Sequence, residues 1–268
     1  MSLGHVAIIG FGAIARDLID ILRAEDPPEL ITVLVRPGRE AAVQEALGAT
    51  GSVTSELSAL LATHPDVVVE CAGHDAVASY GATVLSTGTD LIVASVGALA
   101  EADLAANLAA AARASGAQCL VPSGAIGGID ALGAARLSGL KSVYYTGTKP
   151  PAAWAGTPAE EVCDLASLTT PCTFFEGSAR EAAQRFPKNA NVAATLALAG
   201  LGMDATKVRL VADPGTSENT HAFEVASQAI EFSVQLVGKP SPLNPKTSRS
   251  TVYSIARAVL NRRAAIAI

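Results

Sequence analysis

Apolar and polar residues form two kinds of pattern that alternate along the first 122 positions. Short apolar runs, typical of strands buried on both faces, alternate with longer segments whose apolar positions recur at helical spacing. The strands are predicted at 5–10, 30–35, 66–71, 90–95 and 118–121, and the helices at 13–24, 40–47, 55–62, 75–86 and 102–115. Strands that alternate with helices in this way indicate βαβ units and a parallel sheet.

The pattern changes after residue 122. A glycine-rich joint at 123–128 leads into a helix, and the segments beyond it are mostly strand-like. Strands are predicted at 141–148, 172–176, 207–212, 219–227 and 230–237, and helices at 129–137, 179–185 and 192–199. In the strand predicted at 230–237, apolar residues at even positions alternate with polar ones. We therefore expect one face of this strand to be buried and the other to be more exposed to solvent. This pattern predicts a second domain of α+β type, built on an open mixed sheet with helices on one side.

The turn after the first strand reads Gly10-Phe11-Gly12-Ala13-Ile14-Ala15. A strand before it and a helix after it are the context in which a GxGxxA pattern binds a dinucleotide. Gly10 permits the tight turn and Gly12 lets the backbone approach a pyrophosphate, while Ala13 and Ile14 open the helix whose N–H groups face the phosphates. The alternative is a glycine turn that serves chain geometry alone. We expect a Rossmann domain that binds NAD or NADP.

Two other positions bear on the dinucleotide. An NAD enzyme normally carries Asp or Glu at the end of the second strand, whereas this chain has Arg36, whose guanidinium suits a 2′-phosphate. The prediction is therefore that NADP is accepted, the alternative being that Arg36 lies in solvent and stacks on the adenine. Ala72 and Gly73 follow a later strand, where small residues allow a nicotinamide to approach the backbone.

The fold class is thus α/β, with a dinucleotide-binding domain over residues 1–122 and a second domain over 123–245. A proline-rich connection precedes a helix predicted at 251–261, and we expect the segment from about 246 to 268 to pack back on the first domain. An open sheet face in the second domain also suggests a homodimer formed through that domain.

Composition limits the classes of partner. Half of the residues are hydrophobic and 16% are charged, with a net charge of −6 and a pI near 5.2. This balance argues against a nucleic-acid partner, which would require a basic face. No apolar run approaches the ~20 residues that cross a bilayer, and no signal peptide is evident, so we expect a cytoplasmic protein without a membrane partner. The four cysteines have no CxxC spacing, which predicts free thiols and no metal site.

Histidine is the side chain whose ordinary pKa best suits acid–base catalysis near neutral pH. His5 begins a strand and His64 lies in a connection, so both are expected to be structural or surface residues. His74 lies near the expected nicotinamide and is a secondary candidate. His221 lies in the predicted strand Asn219–Ser227. The alternation of the strand places it on one face with Asn219, Phe223 and Val225, and this pattern alone leaves a catalytic role and a core role equally open.

Five segments decide between these candidates by resemblance. The chain resembles the L-aspartate dehydrogenase family over essentially its full length. The resemblance is carried by Glu70-Cys71-Ala72-Gly73-His74, by Ser123–Gly128, by Phe186-Pro187-Lys188-Asn189-Ala190-Asn191-Val192-Ala193-Ala194, by Asn219-Thr220-His221-Ala222-Phe223 and by the segment 240–248. It implies that His221 is the catalytic residue, that Ala125 and Asn191 contact the cofactor, and that members use NAD, NADP or both.

The resemblance implies reversible oxidative deamination of L-aspartate to iminoaspartate, which water converts to oxaloacetate and ammonia. His221 would accept a proton from the substrate ammonium or from the attacking water, and these two roles stay open. A dicarboxylate also requires cationic or N–H partners, for which Lys188 is the first candidate and Lys246 the second. Because the imine is an intermediate of NAD biosynthesis, a link to a quinolinate-forming enzyme is implied as well.

Two competing functions are kept open. One is a related dehydrogenase or reductase of another small acid, of the homoserine or dihydrodipicolinate type. The other is a protein that senses a dinucleotide without catalysis.

Overall fold

A computed structural model describes residues 3–187, 189–241 and 244–267, with the backbone alone for 240–241 and 244–247. The chain divides into two compact units. The first consists of the residues up to Pro122 together with those from Val252 onward, and the second runs from Ser123 to Thr251.

The first unit is built on a six-stranded sheet in which every pairing is parallel. Its strands are β1 (His5–Ile9), β2 (Leu30–Leu34), β3 (Gly51–Thr54), β4 (Val67–Glu70), β5 (Asp90–Val93) and β6 (Cys119–Leu120). Its helices are α1 (Ala13–Glu25), α2 (Glu40–Leu47), α3 (Leu57–Leu61), α4 (His74–Ser86) and α5 (Ala102–Ser115), with a short 3-10 helix at Val96–Ala100. The spatial order β3-β2-β1-β4-β5-β6 reverses direction at β1, and ligands of open α/β sheets bind at such a switch point.

The second unit contains a five-stranded mixed sheet in the order β11-β10-β7-β9-β8. Its elements are α6 (Ile129–Leu137), β7 (Leu140–Lys149), β8 (Cys172–Ser178), α7 (Ala179–Arg185), α8 (Asn191–Ala199), β9 (Lys207–Ala212), β10 (Asn219–Ser227) and β11 (Glu231–Gly238). Strands β7 and β9 are parallel, and the other pairs are antiparallel. The predicted α/β class with a second, mixed-sheet domain is therefore confirmed.

One face of this sheet carries the buried side chains because strand residues alternate between the two faces. On β7 the buried positions are Val143, Tyr145, Gly147 and Lys149, and on β10 they include His221, Phe223 and Val225. On β11 the even-numbered residues from Phe232 to Leu236 are half-buried and the odd-numbered ones are exposed, as the alternation predicts.

The chain ends in a small antiparallel pair, β12 (Pro240–Ser241) with β13 (Asn244–Ser248), followed by helix α9 (Ser250–Leu260). Four buried residues of α9 belong to the same apolar cluster as the core of the first unit: Val252, Ile255, Ala256 and Val259. Among the described residues, no helix is long and apolar enough to cross a membrane.

The expectation that all four cysteines are free thiols is wrong for one pair. Cys163 and Cys172 form a disulfide with their Cα atoms 6.6 Å apart. Cys163 follows a 3-10 helix at Pro158–Glu161 and Cys172 begins β8, so it is the path of the connecting loop, invisible in the spacing, that brings them together. Cys71 and Cys119 are free, and burial raises the pKa of Cys119 to about 11.

Candidate functional site

The turn between β1 and α1 leaves space and N–H groups for an anion. Gly10 has a φ of +94°, and a Cβ atom there would lie 2.8 Å from the Cβ of Ala72. A Cβ atom at Gly12 would meet nothing within 4 Å of the described structure. Helix α1 begins at Ala13 with no acidic residue in its first turn and no side-chain cap, so its first N–H groups can bind phosphate.

A groove of about 580 Å³ lies along this turn. Four of the predicted cofactor residues line it: Gly10, Gly12, Arg36 and Ala72. The groove also contains Arg39, Ser55 and Tyr80, which the sequence reasoning did not single out. The exposed guanidinium groups of Arg36 and Arg39 give the end of the groove beyond β2 a positive charge. The other predicted cofactor residues of this unit lie where helices begin. Ala13 and Ile14 are the first residues of α1, and Gly73 immediately precedes α4.

A buried carboxyl group holds the loops that follow β4 and β5. Glu70 is fully buried at the end of β4. Its oxygens accept hydrogen bonds from the backbone N–H groups of Ala72 and Gly73 at 2.7 and 2.6 Å. They also accept from the backbone N–H and the hydroxyl of Ser95, both at 3.0 Å. Glu70 thereby fixes the small residues at which we expect the nicotinamide to approach.

In the second unit, His221 lies on the buried face of β10 and is only 3% exposed. Its Nδ1 atom is 2.7 Å from the hydroxyl oxygen of Tyr145, and the two rings are stacked. Gly147 is the residue directly opposite His221 on β7. A Cβ atom at Gly147 would lie 2.6 Å from the Tyr145 hydroxyl, so the absence of a side chain at this position lets Tyr145 reach the histidine.

The electrostatics keep this pair uncharged. Burial, assisted by the nearby charge of Lys149, lowers the pKa of His221 to about 3. Burial raises the pKa of the Tyr145 phenol above its ordinary value. At neutral pH, His221 is therefore a neutral imidazole, and Tyr145 keeps its hydroxyl proton.

Lys149 is a buried cation, 4% exposed, at the end of β7. Its Nζ atom donates a hydrogen bond to Oδ1 of Asn189 at 2.9 Å and lies 5.1 Å from the ring centroid of Trp154. The sequence reasoning missed this lysine. A signal was available, because Lys149 continues the period-two series of Val143, Tyr145 and Gly147 onto the buried face.

The other predicted residues of this unit lie at the joint before α6 and at the start of α8. Ala125 is buried and lies between Gly124 and Gly128, which both have a positive φ. Asn191 is the half-buried first residue of α8. Lys188 lies outside the described residues, and so does the side chain of Lys246. No group of three or more potential metal ligands occurs in the part of the chain that the structure describes.

The three other histidines have different surroundings. His5 is buried, with Nε2 2.8 Å from the Thr32 hydroxyl and Nδ1 3.1 Å from the carbonyl of Thr63. His64 is exposed, and His74 is the half-buried first residue of α4. Of the four histidines, His221 is the one whose ring has a hydrogen bond to a titratable side chain among the residues described.

Two family models match successive parts of the chain. Residues 10–122 match a model described as the NAD-binding domain of homoserine dehydrogenase, and residues 130–262 match the C-terminal region of aspartate dehydrogenase.

Curated relatives match over nearly the full length. The chain is 48% identical over 269 residues to L-aspartate dehydrogenase of Cupriavidus taiwanensis, covering 98% of this chain and 99% of the relative. It is 48% identical over 265 residues to the enzyme of the same name from Pseudomonas aeruginosa, with the same two coverages. The crystal structure of aspartate dehydrogenase from Thermotoga maritima superposes with a TM-score of 0.80 at 28% identity, covering 98% of both chains.

Proposed function

The chain belongs to the L-aspartate dehydrogenase family, and on that premise we propose how its own residues carry out the reaction. L-Aspartate is oxidised at its Cα–N bond to iminoaspartate, which water converts to oxaloacetate and ammonia. The observation that carries the proposal is the neutral, buried His221 beside Tyr145 and Lys149, in the unit whose family model is that of aspartate dehydrogenase.

The cofactor supplies the hydride acceptor when it is bound. The first unit fits such a group because a Cβ atom at Gly12 would point into open space and the start of α1 is uncapped. We assign the pyrophosphate to Gly10, Gly12, Ala13 and Ile14. Ala72, Gly73, Ala125 and Asn191 are assigned to the nicotinamide half, the last two by family resemblance.

His221 acts as the general base through Nε2 in this proposal. That role requires the tautomer in which Nδ1 carries the proton and donates it to the Tyr145 oxygen. The proton taken up comes from the substrate ammonium, or from water in the following step. In either case the Nδ1–H···Oη bond persists in the imidazolium, so Tyr145 positions the ring and stabilises the charged form.

Arg36 and Arg39 support the acceptance of NADP. Both guanidinium groups line the groove beyond β2, and two cations suit a 2′-phosphate. The test is the ratio of kcat/KM with NADP to that with NAD, measured for wild type, Arg36→Ala and Arg39→Ala. We expect the ratio to fall about tenfold or more in Arg36→Ala. An unchanged ratio in both variants would refute the assignment.

Other small-acid dehydrogenases share the fold of the first unit, which matches a homoserine dehydrogenase domain. The second unit distinguishes between these activities in our proposal, because the match to aspartate dehydrogenase spans residues 130–262, the range in which Tyr145, Gly147 and His221 lie. A substrate panel of aspartate, homoserine and a dihydrodipicolinate-type imine separates these activities. Dinucleotide binding without turnover of any of them would indicate a sensor.

The assembly and the cellular role complete the proposal. We propose that the protein is cytoplasmic and forms a homodimer through the second unit. Lys188 is proposed as a further residue that binds the substrate. Val237, 54% exposed at the end of β11, supports that interface. Light scattering after size exclusion would give twice the chain mass for a dimer. Release of iminoaspartate to a quinolinate-forming enzyme is part of the same proposal.

A further inference from the structure

The buried face of the second sheet ends in a group of nitrogen donors. Thr148 of β7 pairs with Thr220 of β10, so the next residues outward on the two strands are Lys149 and Asn219. Asn219 is 2% exposed and Asn189 is 6% exposed. Lys149 joins the two strands to the loop before α8, because its Nζ atom donates to Oδ1 of Asn189.

Two of these donors have no acceptor. The Nδ2 atoms of Asn189 and Asn219 are both fully buried without a hydrogen-bond partner among the described residues. The hydrogen bond from Lys149 fixes the Asn189 amide, since an ammonium can only donate and must face Oδ1. Buried N–H groups are rarely left unpaired in proteins, so an acceptor from outside the described residues, such as a water molecule or a ligand, is expected to complete them.

Aromatic side chains hold this group in place. Trp154 donates its indole N–H to the carbonyl of Val211 at 3.0 Å and presents its ring to Lys149. Phe186, 1% exposed, packs against Trp154 and accepts a backbone hydrogen bond from Asn189 at 2.8 Å. The donors are therefore preorganised in a site from which water is largely excluded, where charge-assisted hydrogen bonds are strongest.

We propose that Lys149, Asn189 and Asn219 form the binding site for one carboxylate of the dicarboxylate substrate, next to His221. A carboxylate accepts from several donors at once, and here it would complete both unpaired amides while facing a cation. The inference rests on the proposed function for the identity of the substrate. It gives a role in recognising negative charge to Asn189 and Asn219, which lie in the quoted motifs, and to Lys149, which lies outside them.

The lowered pKa of His221 agrees with this arrangement, because the charge of Lys149 contributes to the shift and therefore acts at short range. A bound carboxylate would offset that charge at the moment when His221 accepts a proton.

Isosteric substitutions test the site. Asn189→Asp keeps the oxygen that accepts from Lys149 and replaces the unpaired N–H group with an oxygen that repels a carboxylate. Asn219→Asp makes the same replacement on β10. The matched control is Asn107→Asp, at an exposed position of α5. Circular dichroism and thermal melts establish that each variant is folded.

Succinate is the probe, because it has both carboxylates and no amino group to oxidise. Calorimetric titration into the cofactor-saturated enzyme measures its binding without turnover. We expect its Kd to rise about tenfold or more in each folded site variant, with the Kd of the dinucleotide and the behaviour of Asn107→Asp unchanged. Equal succinate affinity in wild type and both site variants, or no binding to wild type, would overturn the site. Loss of the proposed function would show separately, as binding of succinate without turnover of aspartate.

Discussion

At the scale of single residues, the second unit is organised around the burial of ionisable groups. A buried lysine and a buried histidine each cost free energy when they are charged and unpaired. Here Lys149 is held by Asn189 and Trp154, while His221 avoids the cost by remaining neutral. The cation and the base therefore coexist on one sheet face in forms that suit substrate binding and proton transfer.

The neutral state of His221 has a consequence for stability. Its pKa is about 3 when folded and about 6.5 when unfolded, so between these values the unfolded chain binds more protons. Stability is then unaffected by this group above pH 6.5 and falls as the pH drops below it, by up to about 1.4 kcal/mol per pH unit. Denaturant titrations between pH 6 and 4 should show that stability falls more steeply with decreasing pH in wild type than in His221→Asn. Equal slopes would contradict the buried neutral histidine, since His5 contributes equally to both proteins.

Gly147 gives a second test of the same pair. Its substitution by alanine would place a Cβ atom 2.6 Å from the Tyr145 hydroxyl and so displace that hydroxyl from His221. We expect kcat to fall about tenfold or more, as for loss of a hydrogen bond to a charged group, with dinucleotide affinity unchanged. The matched control is Gly133→Ala in helix α6, where a Cβ atom meets nothing within 4 Å. This control should keep its kcat and gain about 0.5–1 kcal/mol of stability. A wild-type kcat in Gly147→Ala would exclude the positioning role.

At the scale of elements, the β1–α1 turn uses its two glycines for different reasons. Gly10 is required by the fold, because its φ is +94° and its Cβ position collides with Ala72. Gly12 has an ordinary φ of −86° and open space at its Cβ position, so only a bound ligand would require a glycine there.

Alanine substitutions at Gly10 and at Gly12 should therefore have different effects, the first on stability and the second on dinucleotide binding. Gly10→Ala is expected to lose about 1–3 kcal/mol of stability through backbone strain. Gly12→Ala should unfold like wild type in the absence of cofactor and bind the dinucleotide about tenfold or more weakly. Urea unfolding and fluorescence titration with NADH and NADPH measure the two quantities. Wild-type affinity in Gly12→Ala would refute the assignment of the pyrophosphate to this turn.

Most elements were predictable from periodicity, and the exceptions have local causes. Strand β3, Gly51–Thr54, was not predicted because it lies at the edge of the sheet and is only half-buried, so it lacks an apolar run. Glu70 and Lys149 are polar residues at the ends of buried strands. Glu70 is bonded to Ser95, 25 residues away, as well as to its near neighbours, and Lys149 is bonded to Asn189, 40 residues away. The disulfide between Cys163 and Cys172 depends on a loop whose path no spacing rule describes.

At the scale of the whole molecule, the two units contribute different kinds of information. The first has the sheet order and glycine turn common to many dinucleotide-binding proteins, so it indicates the cofactor class and little about the substrate. The second carries a buried base, a buried cation and two unpaired amides, a combination suited to a small anionic amine. Family resemblance at His221 predicts that this unit supplies the chemistry, whereas the contacts between Lys149 and Asn189 and the unpaired amides became visible only in the structure.

The most direct test of the account is turnover of aspartate by the purified protein. With L-aspartate and either NADP or NAD, the absorbance of the reduced cofactor should rise at 340 nm. Oxaloacetate with ammonia should oxidise the reduced cofactor, and His221→Ala should lose most of the rate in both directions. Absence of turnover in both directions with both cofactors, in a protein that binds the dinucleotide, would contradict it.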